Sequence, residues 1–148
     1  MQIIAYLNAE GGVSIVIPAP GARRQVIVTE ASFVPRPIEG SDPVTHEVGM
    51  IPAVVRDETD EEFVAWVAEK DVPAGMDFKL ADMASVPADE ADLPAWFAGL
   101  GAAAGTGIGA GAWFAREDAA AAAREDALAA AHAEAAALAE TMNAGAAP

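Results

Sequence analysis

Two imidazole side chains, His46 and His132, are the residue types in this chain best suited to acid–base or metal chemistry near neutral pH. His46 lies next to Glu47 and close to Asp42, so it could contribute to a metal site, although a solvated loop histidine is the reading that the sequence favours. His132 lies in an alanine-rich segment and is interpreted as a surface histidine of a helix. The chain contains no cysteine, which removes thiol nucleophiles and thiolate metal sites. We therefore predict no metal site.

The glycine-rich segment offers two weak matches to a dinucleotide-binding fingerprint, at residues 99–104 and 105–110. Neither match follows a predicted strand within a β-α-β unit, which is the context that fingerprint requires. No glycine loop ends in Lys-Ser or Lys-Thr, so a P-loop is not predicted. The four serines stand outside any nucleophile-elbow sequence: they are Ser14, Ser32, Ser41 and Ser85. The sequence thus predicts no cofactor and no catalytic residue, and a protein that is not an enzyme.

Acidic residues outnumber basic residues 23 to 8, for a formal net charge of −15. The densest acidic run is 57–62, and Arg23-Arg24 is the only adjacent basic pair. Direct binding of nucleic acid needs a clustered cationic face, so it is not predicted. A solvated acidic surface is the simplest interpretation, and an acidic mimic of DNA that occupies another protein's site is the alternative. The carboxylates lack the spacing and the loop glycine of an EF-hand.

The N-terminal half reads as a small antiparallel sheet. Residues 2–7 and 13–17 are β-rich runs joined by a connection that ends in Gly-Gly, which predicts a hairpin. A break at 18–21 precedes a third predicted strand at 25–29. Three prolines make residues 34–45 a predicted loop or irregular edge.

One helix is predicted over about residues 60–70. Thr59 and Glu62 have the spacing of a capping box, in which each side chain bonds the other's backbone amide. Phe63, Val64, Val67 and Ala68 share one face, so this helix should lie against the hairpin. Residues 76–80 then alternate apolar and polar like a strand. The predicted fold class is α+β: a small antiparallel sheet with one packed helix.

No charged side chain occurs between Leu93 and Ala115. Tryptophans stand near both ends of the segment, and Gly101, Gly105 and Gly109 form two overlapping GxxxG steps, a spacing known from membrane helices. Glycine and alanine dominate the interior, which weakens the case for membrane insertion. We predict a Gly/Ala-rich linker, with a membrane-contacting segment and a helical hairpin turn as the alternatives.

The C-terminal segment 113–142 reads as one long helix made mostly of alanine. Its larger apolar residues fit a narrow heptad seam suited to close packing against another helix. We predict that this seam is the partner or homo-oligomer interface, in the manner of a short coiled coil. Its residues are Phe114, Ala121, Leu128, Ala131, Ala135, Leu138 and Met142.

The strings IIAYLNAEGGVSIVIPAP at 3–20 and DEEFVAWVAEKDVPAGMDFKLADMASVPAD at 60–89 carry a family resemblance. Together they resemble a group of small, uncharacterised proteins of tailed bacteriophages and of prophages of alphaproteobacteria. In that group a strand, a Gly-Gly hairpin and the string AKDVPAG before a short strand recur. The resemblance implies phage origin and a location among tail or other virion genes, but it implies no activity.

These observations predict a chain of four parts: a small α+β domain at 1–92, a linker at 93–112, an assembly helix at 113–143 and a tail at 144–148. The predicted function is a structural component of a tailed-phage particle, tail- or fibre-associated, with other phage structural proteins as partners. The alternatives are a tail or fibre assembly chaperone that leaves the particle, and the acidic DNA mimic. Residues 1–12 lack the features of a signal peptide, so we expect synthesis in the host cytoplasm and localisation in the virion.

Overall fold

A computed structural model of the chain describes residues 1–19, 21 and 23–146. The fold is mixed α+β, as predicted, with antiparallel strand pairs and a long C-terminal helix. It divides into two compact units, each built from two stretches of sequence. The sheet unit comprises residues 1–24 and 57–118, and the ribbon unit comprises residues 25–56 and 119–148.

The sheet unit contains a four-stranded sheet in the order β2-β1-β7-β8. Its strands are β1 (Gln2–Leu7), β2 (Val13–Val16), β7 (Asp77–Asp82) and β8 (Gly105–Thr106). The predicted hairpin is confirmed, because β1 pairs antiparallel with β2, with Ile4 opposite Val16. The predicted strand at 76–80 is confirmed as β7, which pairs antiparallel with the other edge of β1. Of the predicted break at 18–21, residue 20 lies outside the described residues.

Helix α1 (Asp60–Asp71) begins with the predicted capping box. The Thr59 hydroxyl accepts a bond from the Glu62 amide at 3.2 Å, and the Glu62 carboxylate accepts one from the Thr59 amide at 3.1 Å. The predicted apolar face of α1 packs on one face of the sheet. Because side chains alternate along a strand, this face collects every second residue of the paired strands. The buried cluster consists of Ile4, Phe63, Val64, Val67, Ala68, Val72 and Phe78.

The opposite face of the sheet is also covered. Ile3 and Ala5 are fully buried there. The short helix α2 (Leu93–Gly99) supplies the buried Phe97 on this side, since Lys79, opposite Ala5 in the register, donates its Nζ to the Phe97 carbonyl at 3.0 Å. The fold therefore has two packed helices where the sequence predicted one.

The predicted linker at 93–112 is wrong, because this segment contains α2, β8 and the start of the last helix. Its glycines allow close approach to the core. A Cβ at Gly105 would lie 2.7 Å from the Phe78 ring, and one at Gly107 would lie 2.3 Å from the Val72 carbonyl oxygen. The Gly107 amide also donates to the Met76 carbonyl. Among the described residues, no helix combines the length and the apolar character that crossing a bilayer requires.

The last helix, α3 (Ala110–Ala146), is longer than predicted at both ends. Its first residues, 110–118, belong to the sheet unit, and the remainder belongs to the ribbon unit. The predicted tail at 144–148 is wrong for 144–146, which are helical, and residues 147–148 lie outside the described residues. The predicted domain at 1–92 is also divided: residues 25–56 group with the C-terminal part of α3, because they contact it and each other.

The ribbon unit contains two two-stranded sheets, in which β3 (Gln25–Thr29) pairs with β6 (Val54–Asp57) and β4 (Ser32–Pro37) pairs with β5 (His46–Ile51). The last residue of β6 is counted with the sheet unit. The pairings are nested, so residues 25–57 run as one two-stranded ribbon with a connection at 38–45. The predicted strand at 25–29 is confirmed, whereas β5 and β6 were not predicted.

The predicted loop at 34–45 is wrong over residues 34–37, which are part of β4. Pro35 and Pro37 lie opposite Val48 and His46 in an antiparallel register. Strand residues point their amides alternately toward and away from the neighbouring strand. Both prolines occupy positions whose nitrogen points away from β5, so the missing N–H costs no ladder bond.

A glycine-to-alanine pair tests whether residues 93–112 are part of the sheet unit's core. Gly107→Ala should lower the free energy of unfolding by about 3 kcal/mol, because its Cβ would overlap the Val72 carbonyl. Gly111→Ala is the matched control, since a Cβ there meets nothing within 4 Å; it should leave stability unchanged within about 1 kcal/mol. Chemical denaturation followed by tryptophan fluorescence measures both. Equal effects of the two substitutions would contradict the close packing.

Candidate assembly surface

The ribbon unit exposes most of its large apolar side chains. Among its described residues, only Ala135 and Ala139 are hydrophobic side chains that are more than nine-tenths buried. Two alanines cannot form a core, and an isolated two-stranded sheet is marginally stable in water. The exposed apolar residues of the ribbon are Ile27, Val28, Val34, Ile38, Val44, Met50, Ile51, Val54 and Val55.

Helix α3 is attached to the ribbon within this unit by hydrogen bonds and one aromatic ring contact. Arg124 donates from Nε and Nη2 to the two carboxylate oxygens of Glu30, each at 3.0 Å. The Phe33 ring meets the His132 ring edge-on, with centroids 5.3 Å apart. Near the end of the helix, the Asn143 amide bonds both the N–H and the carbonyl of His46. These contacts fix which face of α3 the ribbon covers.

The seam residues predicted on α3 divide between covered and exposed positions. Ala135 is buried, and Leu128 and Ala131 are half-buried, so part of the predicted interface already packs within the chain. Leu138 and Met142 are 52% and 41% exposed. Ala121 is exposed, and Phe114 belongs to the sheet unit, where it lies edge-on to Trp113. That the seam binds a partner stays a prediction.

A shallow groove of about 640 Å³ runs between β4 and α3. Its strand side includes Phe33, Val34 and Pro35, and its helix side includes Ala131 and Leu138. The other apolar side chains on the helix side are alanines, so Leu138 is the largest apolar side chain there. An apolar groove with an exposed leucine at its border is a shape that accommodates an apolar side chain of another protein.

The two histidines do not lie together in a chemical site. His46 is the first residue of β5, which corrects the loop position predicted for it. His132 is exposed on α3, as predicted. Within the described ranges, no group of three or more His, Asp or Glu side chains could hold a metal ion. The absence of a metal site and of catalysis stays a prediction.

A cluster around the buried carboxylate of Glu58 in the sheet unit was not predicted from the sequence. Glu58 is 8% exposed and accepts bonds from the Trp66 indole N–H, at 3.0 and 3.1 Å, and from the Arg24 amide at 2.8 Å. Trp66 stacks on Trp113, with ring centroids 5.2 Å apart. The Arg24 guanidinium lies within 5.5 Å of both ring centroids and bonds Glu117 at 3.1 Å. Glu58 belongs to the acidic run at 57–62. The sequence alone therefore does not distinguish this buried, hydrogen-bonded carboxylate from the other acidic residues of the run.

Comparison with known proteins returned no significant match to a protein-family model, a curated protein or a solved structure. The resemblance to proteins of tailed phages therefore stays a prediction.

Removing the Glu58 carboxylate should weaken the sheet unit. Glu58→Ala leaves the Trp66 indole N–H and the Arg24 amide without their acceptor, which should cost about 1–3 kcal/mol. Glu58→Gln is the control, because its amide oxygen can still accept a bond, and it should cost less. Denaturation monitored by tryptophan fluorescence checks both substitutions. An alanine variant as stable as the glutamine variant would contradict the assignment of these bonds.

The Glu30–Arg124 pair should be visible in the titration of Glu30. The bonds from Arg124, together with the Ala31 amide, hold the pKa of Glu30 below its usual value. Arg124→Met should raise that pKa toward the ordinary value of glutamate, because only the bond from the Ala31 amide remains; carboxyl-carbon NMR during acid titration measures the change. A lowered folded-state pKa stabilises the fold above the ordinary glutamate pKa, and this contribution is lost as the pH falls through the lowered value.

Arg116→Met is the control for that titration, since Arg116 bonds Glu69 and not Glu30. It should leave the Glu30 titration unchanged. The same Glu30 titration in wild-type protein and in Arg124→Met would show that the pair does not form in solution.

Proposed function

We propose that this protein is a structural component of a tailed-phage particle, tail- or fibre-associated, and that it is incorporated through its ribbon unit and the adjoining part of α3. One observation carries the assembly role: the ribbon at 25–57 exposes nine large apolar side chains, and the only described hydrophobic side chains that the ribbon unit buries are alanines. The phage setting is supported by the sequence resemblance at 3–20 and 60–89.

The energetics favour a surface that is completed by another protein. Burying a valine, isoleucine or methionine side chain contributes about 1.5–3 kcal/mol relative to leaving it exposed. A partner that covers even part of the ribbon would provide the core that the unit lacks.

The charge distribution fits the same role. The ribbon unit carries 8 acidic and 3 basic residues, a net charge of −5, whereas the sheet unit carries 15 and 5, a net charge of −10. The larger share of the negative charge thus belongs to the sheet unit, and the smaller share to the unit that exposes the apolar side chains. An acidic DNA mimic would use the carboxylates and would leave the apolar ribbon without a role, so the assembly function accounts for more of the chain.

Mass spectrometry of particles produced by the phage or prophage that encodes this chain tests the proposal. The protein should be present at a fixed copy number after purification. Detection only on tail or fibre intermediates would favour the assembly chaperone. Recovery with a host DNA-binding protein, and not with particles or intermediates, would favour the DNA mimic.

A point substitution tests the surface itself. Leu138→Asp should reduce incorporation into particles about tenfold or more, because it places a charge where an apolar side chain would be buried. Ala122→Asp is the control, since Ala122 is also exposed on α3 within the ribbon unit but does not line the groove. Circular dichroism should show equal helix content. Normal incorporation of Leu138→Asp would exclude this groove as the contact.

A further inference from the structure

We propose that the outer edge of β5 pairs with β5 of a second copy of this chain, antiparallel and about a twofold axis at Val48. The two β4–β5 sheets then form one sheet of four strands. The inference rests on the proposed function only in treating the ribbon unit as an assembly surface, and it specifies the partner and the contact.

The β4–β5 sheet has one edge that can accept a strand. On β4, the outward positions include Pro35 and Pro37, which have no N–H to donate. On β5, the residues opposite those prolines are Val48 and His46, and Val48 keeps its N–H. The described structure has no strand beside the outer edge of β5.

Asn143 shows that the outer edge of β5 forms strand-like bonds. The His46 amide donates to Asn143 Oδ1 at 2.6 Å, and the His46 carbonyl accepts from Asn143 Nδ2 at 3.1 Å. This reciprocal pair is the one that a facing residue of an antiparallel strand would make. In the proposed dimer, the backbone of Met50 in the second copy takes the place of the Asn143 side chain. His46 then loses its two hydrogen bonds to Asn143 and gains two to Met50.

The side chains of β5 are compatible with self-pairing in this register. Val48 faces Val48 of the second copy, which is a favourable β-branched pair. His46 faces Met50. Glu47 faces Gly49, so two carboxylates do not meet across the strands.

Arg36 provides the charge complementarity that favours a second copy. It covers Gly49, since a Cβ there would lie 3.1 Å from Arg36 Cβ and 3.5 Å from Arg36 Nε. Its Nη2 also bonds Glu47 of the same chain at 2.9 Å. Neighbouring strands lie about 5 Å apart. In the dimer, each Glu47 therefore lies beside Gly49 of the other copy and beside the Arg36 side chain that covers this glycine. On that face of the sheet, carboxylates alternate with guanidinium groups.

Mixing two charge variants of the full chain tests the contact between copies. Arg36→Glu and Glu47→Arg each place like charges across the twofold axis, so each alone should associate about tenfold more weakly than wild type. An equimolar mixture restores both intermolecular pairs, whereas the pair within each chain stays broken. Sedimentation equilibrium should show heterodimers in the mixture. Absence of heterodimers, or single variants that associate like wild type, would overturn the proposal.

A second comparison tests the backbone bonds. Val48→Pro removes the outward N–H while keeping the bonds to β4, because Pro35 is tolerated at the equivalent position of the facing strand. It should abolish association, and Val48→Thr, which keeps both the N–H and the branched Cβ, should retain it. Circular dichroism confirms that both variants are folded. Dimerisation of Val48→Pro would overturn the proposal.

The two proposals fail in different ways. A wild-type protein that is found in particles but stays monomeric over the micromolar range would overturn the β5 pairing and leave the virion function standing. A protein that dimerises through β5 but is absent from particles would overturn the virion function alone.

Discussion

The buried carboxylate of Glu58 is the interaction on which the packing of the sheet unit around its chain crossings depends. The chain passes between the two units after residue 24, before residue 57 and after residue 118. Within the sheet unit, Glu58 and Arg24 exchange bonds, because the Arg24 amide bonds the carboxylate and the Glu58 amide donates to the Arg24 carbonyl. Arg24 also bonds Glu117 near the third passage. A buried carboxylate is tolerated only when donors satisfy it, so Glu58 requires the Arg24 amide and the Trp66 indole to be in place, and Arg24 in turn joins Glu117 to the cluster.

Local features of the fold could be predicted from the sequence, whereas features set by distant neighbours could not. The capping box of Thr59 and Glu62 depends on residues three apart, and the first hairpin depends on a short connection. The strand at Pro35 and Pro37 depends on which side of β4 the partner strand lies, which no local pattern contains. Glycines 105 and 107 present the same ambiguity, because glycine is typical both of flexible linkers and of close approach. Only the positions of Val72 and Phe78 decide between the two.

Only part of the candidate assembly surface could be predicted from the sequence, for a related reason. Helical periodicity identified Ala135 and Leu138 as neighbours on one seam, and both do lie beside the groove. It could not show that the chain's own ribbon covers the alanine and leaves the leucine exposed. Alanine forms helix readily but buries little area, so α3 can lie close to the ribbon without providing it with a core. The hydrogen bonds of Arg124 and Asn143 and the ring contact of His132 hold the two together instead.

The two prolines of β4 have a consequence for how many copies strand pairing can join. A ribbon with two open edges would add copies at both sides and grow without limit into a fibre. In the proposed pairing, the β4 edge lacks the donors at Pro35 and Pro37, so each β4–β5 sheet would accept a neighbouring strand at β5 alone. Growth through the proposed β5 contact would therefore stop at two copies, and backbone chemistry would limit the copy number without a capping protein.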